Sequence, residues 1–336
     1  MRVVRVTPHD GIDGLHVAET PVPRPGPGEV LVRMRAASLN YRDLAVATGR
    51  YARATIKPGL IPLSDGAGEV AECGPDVTRV AVDDRVAGQI MQSWVDGDLT
   101  DRHITAVLGG EKDGVLAEFV VFLETALVHL PAHLSFQEGA TLPCAGLTAW
   151  NALHGVRPLK AAEIVLALGT GGVALFALQF AVAAGASAII TSSSDTKLAQ
   201  ARDLGAAHGI NYSVTPEWQD AVLRLTNGRG VDHTVETAGA GTLPRSIAAT
   251  RFGGVIHLIG AMTTGEIQPN AIMRRAVTVR GVMAGSRTMF EAMNHAITEH
   301  HIRPLIDQVF PLHAVQEAYH YFQSPRPPGK VVIAIE

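Results

Sequence analysis

The sequence predicts an α/β chain with a doubly wound parallel sheet and a second, mostly β part. Between about Ala162 and Val282, short apolar runs alternate with helix-length segments, as strands of a sheet covered on both faces do. The stretch before about residue 125 alternates polar with apolar and is punctuated by Pro and Gly, the texture of antiparallel strands. At 336 residues, 47% hydrophobic and 18% charged, the chain also exceeds what one core usually organises.

In order, "GEVLVRMRAAS" alternates like a strand, "GAGEVAECG" is a strand bounded by glycines, "DDRVAG" is short, and "LAEFVVF" alternates again. In the α/β part "EIVLALG" is a strand, Gly172 to Ala184 a helix, "SAIIT" a strand, Asp195 to Leu204 a helix and "AHGIN" a short strand. "EWQDAVLRLT" follows as a helix, "GVDHTVETA" as a strand, Pro244 to Thr250 as a helix and "GGVIHLIG" as a strand. After Gly281 come a helix ("MFEAMNHAITEH"), a strand ("IDQVF"), a helix ("AVQEAYHYF") and a final strand ("GKVVIAI").

From Gly172 to Ile190 the run is apolar enough, by length alone, for a membrane helix of roughly 18 residues. Gly185-Ala186 interrupts it and the β-branched "SAIITSSS" follows, so a buried helix and a buried strand are expected. A net charge of −4, with no basic block, gives no reason to bind nucleic acid or an anionic membrane. The opening "MRVVRVTPHDG" lacks an apolar signal core, and the two cysteines, Cys73 and Cys144, make no disulfide framework. A cytoplasmic protein is expected.

Gly169-Thr170-Gly171-Gly172-Val173-Ala174 fits G-x-G-x-x-A between a strand and a helix. The first glycine permits the turn, the second admits a pyrophosphate, and the small Ala174 allows close helix–strand packing. The loop therefore predicts a dinucleotide held at the helix start. An NAD site usually places an acidic residue about 20 positions on, at the end of the next strand. Here Ser192, Ser193 and Ser194 are the first positions expected to be exposed there, and Lys197 and Tyr212 can complete a pocket for a 2′-phosphate. NADP(H) is thus preferred, with NAD(H) as the alternative; Asp195 reads better as a helix N-cap, and the serines have a capping role as their plain alternative. Thr237, Ala238, Gly260, Ala261, Gly285, Ser286 and Arg287 follow strand ends and are expected to border the same nucleotide, Arg287 reaching either a phosphate or a neighbouring subunit.

The segments "PGPGEVLVRMRAASLNYRDL", "PLSDGAGEV", "LPCAGLTAW", "VLALGTGGVALFALQFA" and "GKVVIAI" together resemble the medium-chain dehydrogenase/reductase superfamily, in its quinone oxidoreductase and zinc-independent alcohol dehydrogenase branch. The resemblance implies a Rossmann nucleotide domain over residues 127–283, flanked by a GroES-like substrate domain built from residues 1–126 and 284–336. It implies a homodimer through the sheet edge near "AVTVRGV", and a small-molecule substrate. It also sets Cys144 and Thr148 on the cofactor site, with Thr148 near the nicotinamide. Zinc-containing members carry a Cys where Asn40 stands, a His-Glu pair where Ser64-Asp65 stands, and a Cys that matches Cys144. One thiol and one carboxylate are a poor set for catalytic zinc, so no zinc is expected.

Without a Lewis acid, hydride addition to an enone or quinone suits the site better than reduction of an isolated carbonyl, because the charge spreads into an enolate or phenolate. The resemblance places Asn40, Asp43 and Tyr51 at the substrate, and Ser64 and Asp65 beside them. Each has a plain alternative: Asp43 in local hydrogen bonds or paired with Arg42, Tyr51 in packing, Ser64 and Asp65 in a turn. The expectation is an NADPH-dependent quinone or enone reductase. The alternatives are an alcohol dehydrogenase and a catalytically weak NADPH-binding protein.

Overall fold

The computed structural model describes residues 1–51, 53–323 and 327–336, apart from the side chains of Pro8 and His9. The chain forms two compact units, Met1–Leu147 with Gly285–Glu336, and Thr148–Ala284.

In the first unit β1 (Arg2–Arg5) and β2 (His16–Glu19) form a small antiparallel ribbon. The main sheet begins with β3 (Glu29–Ser38), where Val30, Leu31, Val32, Met34, Ala36 and Ala37 are buried and Arg33 is exposed, so the strand is covered on both faces over most of its length, more than its sequence alternation predicts. β4 (Asp65–Cys73), β5 (Arg85–Gly88), β6 (Phe119–Leu123) and β7 (Leu127–His129) add to it in antiparallel fashion. β7 pairs with β5, so the chain beyond residue 126 continues in this unit as far as Leu147, past the boundary expected from sequence.

The second unit is an all-parallel sheet of β8 (Ile164–Ala167), β9 (Ser187–Ser192), β10 (His208–Asn211), β11 (Val231–Glu236), β12 (Thr250–Leu258) and β13 (Thr278–Gly281). Their order is β10-β9-β8-β11-β12-β13, a doubly wound arrangement with β13 at one edge. The apolar run resolves as expected into the helix Gly172–Ala183, buried at seven positions, and β9. Among the described residues no helix is long and apolar enough to cross a membrane. The helix Pro269–Arg275 was not foreseen; it buries no residue and so leaves no apolar periodicity.

Buried in this unit, His233 of β11 and His257 of β12 stack with ring centroids 5.3 Å apart, and His233 Nδ1 lies 3.0 Å from His257 Nε2. His233 Nε2 faces Arg157 and, at 3.2 Å, Glu163. Burial first, and the neighbouring His233 second, push His257 down to about 3 and His154 down to about 4. Burial and then Arg157 lower His233 as well.

The chain then returns to the first unit. β14 (Ile306–Pro311) pairs in parallel with β15 (Lys330–Ala334), which pairs antiparallel with β3. Its core gathers Val3, Val32, Met34, Leu63, Leu116, Tyr319 and Ile333.

Candidate active site

In the second unit, β8 has β9 on one side and β11 on the other, so the loop after it lies at the point where the winding reverses. Gly169 has φ +80°, a left-handed value that favours glycine, and its N–H donates to Thr191 Oγ1 at 3.1 Å. Thr237 Oγ1 donates to the Leu168 carbonyl at 2.6 Å, tying the loop after β11 to the loop after β8. Gly171 is the N-cap of the helix Gly172–Ala183, with no side chain capping it, and a Cβ there would meet nothing within 4 Å. The first-turn N–H groups of Gly172 and Val173 therefore lie uncapped beside open space at the positive end of the helix dipole. Ala174 is buried, as close helix–strand packing requires.

The end of β9 differs from expectation. Ser192 closes β9 and is buried, not exposed, because its strand still pairs with Asn211 of β10 there. Its hydroxyl lies 3.4 Å from that of Thr170. Ser194, not Asp195, is the N-cap of the helix Asp195–Asp203, accepting the Lys197 N–H at 3.5 Å. Asp195 instead accepts from Asn211 Nδ2 at 3.0 Å. Ser193 is exposed, Lys197 half-buried and Tyr212 exposed, and the Tyr212 N–H donates to the Ser192 carbonyl at 2.9 Å.

Glu236, which sequence analysis did not single out, organises the loop after β11. Its Oε1 accepts the N–H groups of Ala238 (2.9 Å) and Gly239 (3.0 Å) and the Thr242 hydroxyl (2.8 Å), and its Oε2 accepts the Ser246 hydroxyl (2.5 Å). Gly260 packs so tightly here that a Cβ would lie 1.8 Å from the Thr237 carbonyl oxygen. The neighbouring Met262 and Thr263 N–H groups donate to the Ala238 carbonyl, closing the second loop onto the first. Glu236→Ala leaves buried N–H groups unpaired and is expected to cost about 2–3 kcal/mol and to weaken nucleotide binding, whereas Glu236→Gln retains most of both. Thermal melts with nucleotide titrations check this, and undiminished affinity in the alanine variant would count against the loop's role.

Gly285, Ser286 and Arg287 fall in the first unit, where each makes a hydrogen bond within that unit. The Gly285 carbonyl accepts from Gln89 Nε2 at 3.0 Å, Ser286 is a buried N-cap of the helix Arg287–Glu299, and Arg287 Nη1 donates to the Thr125 carbonyl at 3.1 Å. Thr148 is buried at the start of the second unit.

The remaining predicted residues converge in the first unit. β3 ends at Ser38, directly opposite Asp65 of β4 and Val332 of β15. The Leu39 N–H donates to the Val331 carbonyl at 3.0 Å, which brings Lys330 alongside Asn40. Lys330, 2% exposed, donates from Nζ to the Leu39 carbonyl (2.7 Å) and to Asn40 Oδ1 (2.6 Å), and lies 3.6 Å from Asp65 Oδ2. Asp65 accepts the Ser64 hydroxyl (3.2 Å) and the Ser38 hydroxyl (3.4 Å). Asn40 caps the helix Tyr41–Ala47, and its backbone N–H donates to Asp43 Oδ2 at 2.7 Å. Asp43 lies 3.5 Å from Arg42 Nη1, and Arg42 in turn bonds the Leu108 carbonyl (3.0 Å) and the Tyr51 hydroxyl (3.3 Å) while lying over the Tyr51 ring. Asp43, Ser64 and Asp65 are wholly buried; Asn40, Tyr51 and Cys144 are half-buried.

Burial raises the Asp43 carboxyl to about 6, Arg42 opposing and Asp65 adding to the rise. Burial likewise raises Asp65 against the pull of Lys330, Asn40 and Ser64. Cys144 lies in the single π-helical turn Leu142–Gly146, and burial, followed by the charge of Asp65, pushes its thiol up to about 12. The donors at the positions that match zinc ligands are thus an amide, a hydroxyl, a carboxylate already facing an ammonium, and a neutral thiol. This set does not fit a zinc ion, and among the described residues no group of three His, Cys, Asp or Glu side chains could hold a metal.

Residues 26–132 match the alcohol dehydrogenase GroES-like domain, and residues 172–299 match the zinc-binding dehydrogenase domain. A zinc-type alcohol dehydrogenase-like protein of Schizosaccharomyces pombe is 44% identical, over 99% of this chain and 99% of its own length. The chloroplastic quinone-oxidoreductase QR1 of Triphysaria versicolor is 29% identical, covering 99% of this chain and 98% of its own. A crystal structure of a Sinorhizobium meliloti 1021 protein described as an alcohol dehydrogenase superposes with a TM-score of 0.90 at 40% identity, over 96% of this chain and 95% of that one. With a family match in each unit and relatives aligned from end to end, the chain belongs to the medium-chain dehydrogenase/reductase superfamily of NAD(P)(H)-dependent oxidoreductases.

Proposed function

We propose that the protein is an NADPH-dependent reductase that delivers hydride to a quinone or an α,β-unsaturated carbonyl without a metal. The observation that carries this reading is the donor set at Asn40, Ser64, Asp65 and Cys144, which offers hydrogen bonds in place of a Lewis acid. The full-length likeness to a quinone oxidoreductase supports the same substrate class.

The reduced nicotinamide supplies the hydride. The N–H groups that open the helix at Gly172 bind the diphosphate, and Glu236 holds the loop at Thr237 and Ala238 in place. Ser193, Lys197 and Tyr212 surround the end of β9, where the nearest carboxylate, Asp195, is turned to Asn211; that arrangement favours a 2′-phosphate. On the substrate side, the half-buried Asn40 and Tyr51 carry donors for an oxygen that gains negative charge, and delocalisation means a few such bonds suffice. Asp43, Ser64 and Asp65 act behind them, holding the helix start and balancing charge. We read the β13 edge as the homodimer surface and the cytoplasm as the compartment.

Stopped-flow oxidation of NADPH against matched enone, quinone, aldehyde and ketone acceptors, with zinc analysis of the same sample, tests the proposal. Quinones or enones are expected to react at least about tenfold faster. Faster aldehyde or ketone turnover, or one zinc per chain, would favour an alcohol dehydrogenase instead.

A further inference from the structure

We infer that the Lys330 ammonium is the built-in cation of the substrate site, a positioning residue that orients and polarises the Asn40 amide in the place where zinc-containing relatives keep a metal. The inference rests on the metal-free reading above.

An ammonium that is 2% exposed is costly to bury unless its protons are accepted and its charge is balanced. Both conditions are met here. Two protons go to the Leu39 carbonyl and Asn40 Oδ1, and Asp65 supplies the counter-charge at 3.6 Å. The cluster as a whole holds two carboxylates, Asp43 and Asp65, and two cations, Arg42 and Lys330, whose charges balance when all four are ionised. A divalent ion added to it would face two fixed positive charges.

The bond to Asn40 has a directional consequence. With Oδ1 committed to Lys330, the amide can offer only Nδ2 as a donor, and that buried nitrogen is drawn towards the Asp65 carboxylate without closing a hydrogen bond to it. An unpaired buried donor is unfavourable until an acceptor arrives. A cation bonded to the amide oxygen withdraws electron density and strengthens the N–H as a donor. The matching ligand is the oxygen of a conjugated carbonyl, which becomes an enolate or phenolate oxygen when hydride adds to the conjugated carbon. Lys330 thus acts through Asn40, its charge favouring the reduced anion over the neutral substrate.

Lys330→Ala deletes three methylenes and the ammonium, the outline of n-propylamine. In steady-state assays with a quinone or enone, kcat is expected to fall at least about 100-fold, with the KM for NADPH changed less than about threefold. Added n-propylamine is expected to restore at least about tenfold of the loss in a concentration-dependent way, which a merely structural role would not produce. Turnover within about threefold of wild type, or a folded variant that ignores the amine, overturns the inference. If Lys330→Ala does not fold, the Asp65→Asn/Lys330→Met pair leaves no unpaired buried charge, and its kcat is expected to stay low; a wild-type rate there means the lysine serves the fold alone. Zinc analysis separates the two levels. One zinc per wild-type chain removes the metal-free reading and this inference with it, whereas a zinc-free wild type with a fully active Lys330→Ala variant removes only the inference.

Discussion

Replacing Gly171 with aspartate is expected to weaken NADPH binding about 100-fold or more while leaving the fold as stable as before, or slightly more so. The backbone at Gly171, φ −80° and ψ 179°, suits any residue, and a Cβ there meets nothing within 4 Å, so the side chain enters without a clash. Once in place, the carboxylate does for the helix what a good N-cap does: it accepts first-turn N–H groups and complements the dipole, worth a few tenths to about 1 kcal/mol. Those are the donors assigned to the diphosphate. The variant thus fills the site with a charge of the same sign as its ligand, which separates binding from folding. Gly171→Ala keeps the donors free and is expected to lose far less. Calorimetric titration with NADPH, beside thermal melts, measures both quantities; an aspartate variant that binds as tightly as wild type would mean the diphosphate lies elsewhere.

Acid is expected to weaken the second unit well before the carboxylates of the first unit matter. In the unfolded chain a histidine takes up its proton near pH 6.5, whereas in the folded chain His154 resists until about 4 and His257 until about 3. Between those limits the unfolded state holds more protons, so stability is present above pH 6.5 and is lost as pH falls towards 4. For His257 and His154 together the loss is on the order of 6 kcal/mol by pH 4. Asp43 works the other way. Raised to about 6, its carboxyl takes a proton in the folded state first, so the first unit gains from mild acid in the window between 6 and the ordinary carboxylate range. Amide exchange at pH 7 and pH 4.5, corrected for intrinsic rates, is expected to show β11 and β12 losing protection before β3 and β4. His257→Gln should recover about half of the loss. A melting temperature that stays flat across this range would refute the account.

Most of the strand and helix order could be read from the sequence because the signals were local. The glycine loop, the apolar strand before it and the uninterrupted apolar helix after it occupy the places expected, and β3 and β4 form where strands were expected, though β3 is buried at more positions than its alternation predicts. What escaped was decided at long range. The pairing of β7 with β5, which keeps residues 127–147 in the first unit, has no mark in the residues of either strand. Ser192 is buried because β10 runs beside it, which the serine run alone does not reveal. Lys330 opens a strand that otherwise reads as apolar, and that anomaly was the available clue; Glu236 ends a strand that already holds Asp232 and His233 and so stands out less. Their partners were not available: Lys330 meets Asn40 across 290 positions of sequence, through the register of β15 on β3.

That same register bears on how the molecule comes into being. Thr148–Ala284 is continuous, with each parallel strand joined to its neighbours by nearby chain, so it can fold while synthesis is still under way. The sheet of the other unit has β15 between β14 and β3, so the 36–38 end of an early strand stays unpaired on one side until a segment some 290 residues later has been made. Lys330 arrives with that strand, and a nascent chain lacking it leaves the end of β3 unpaired and Asn40 without its ammonium partner.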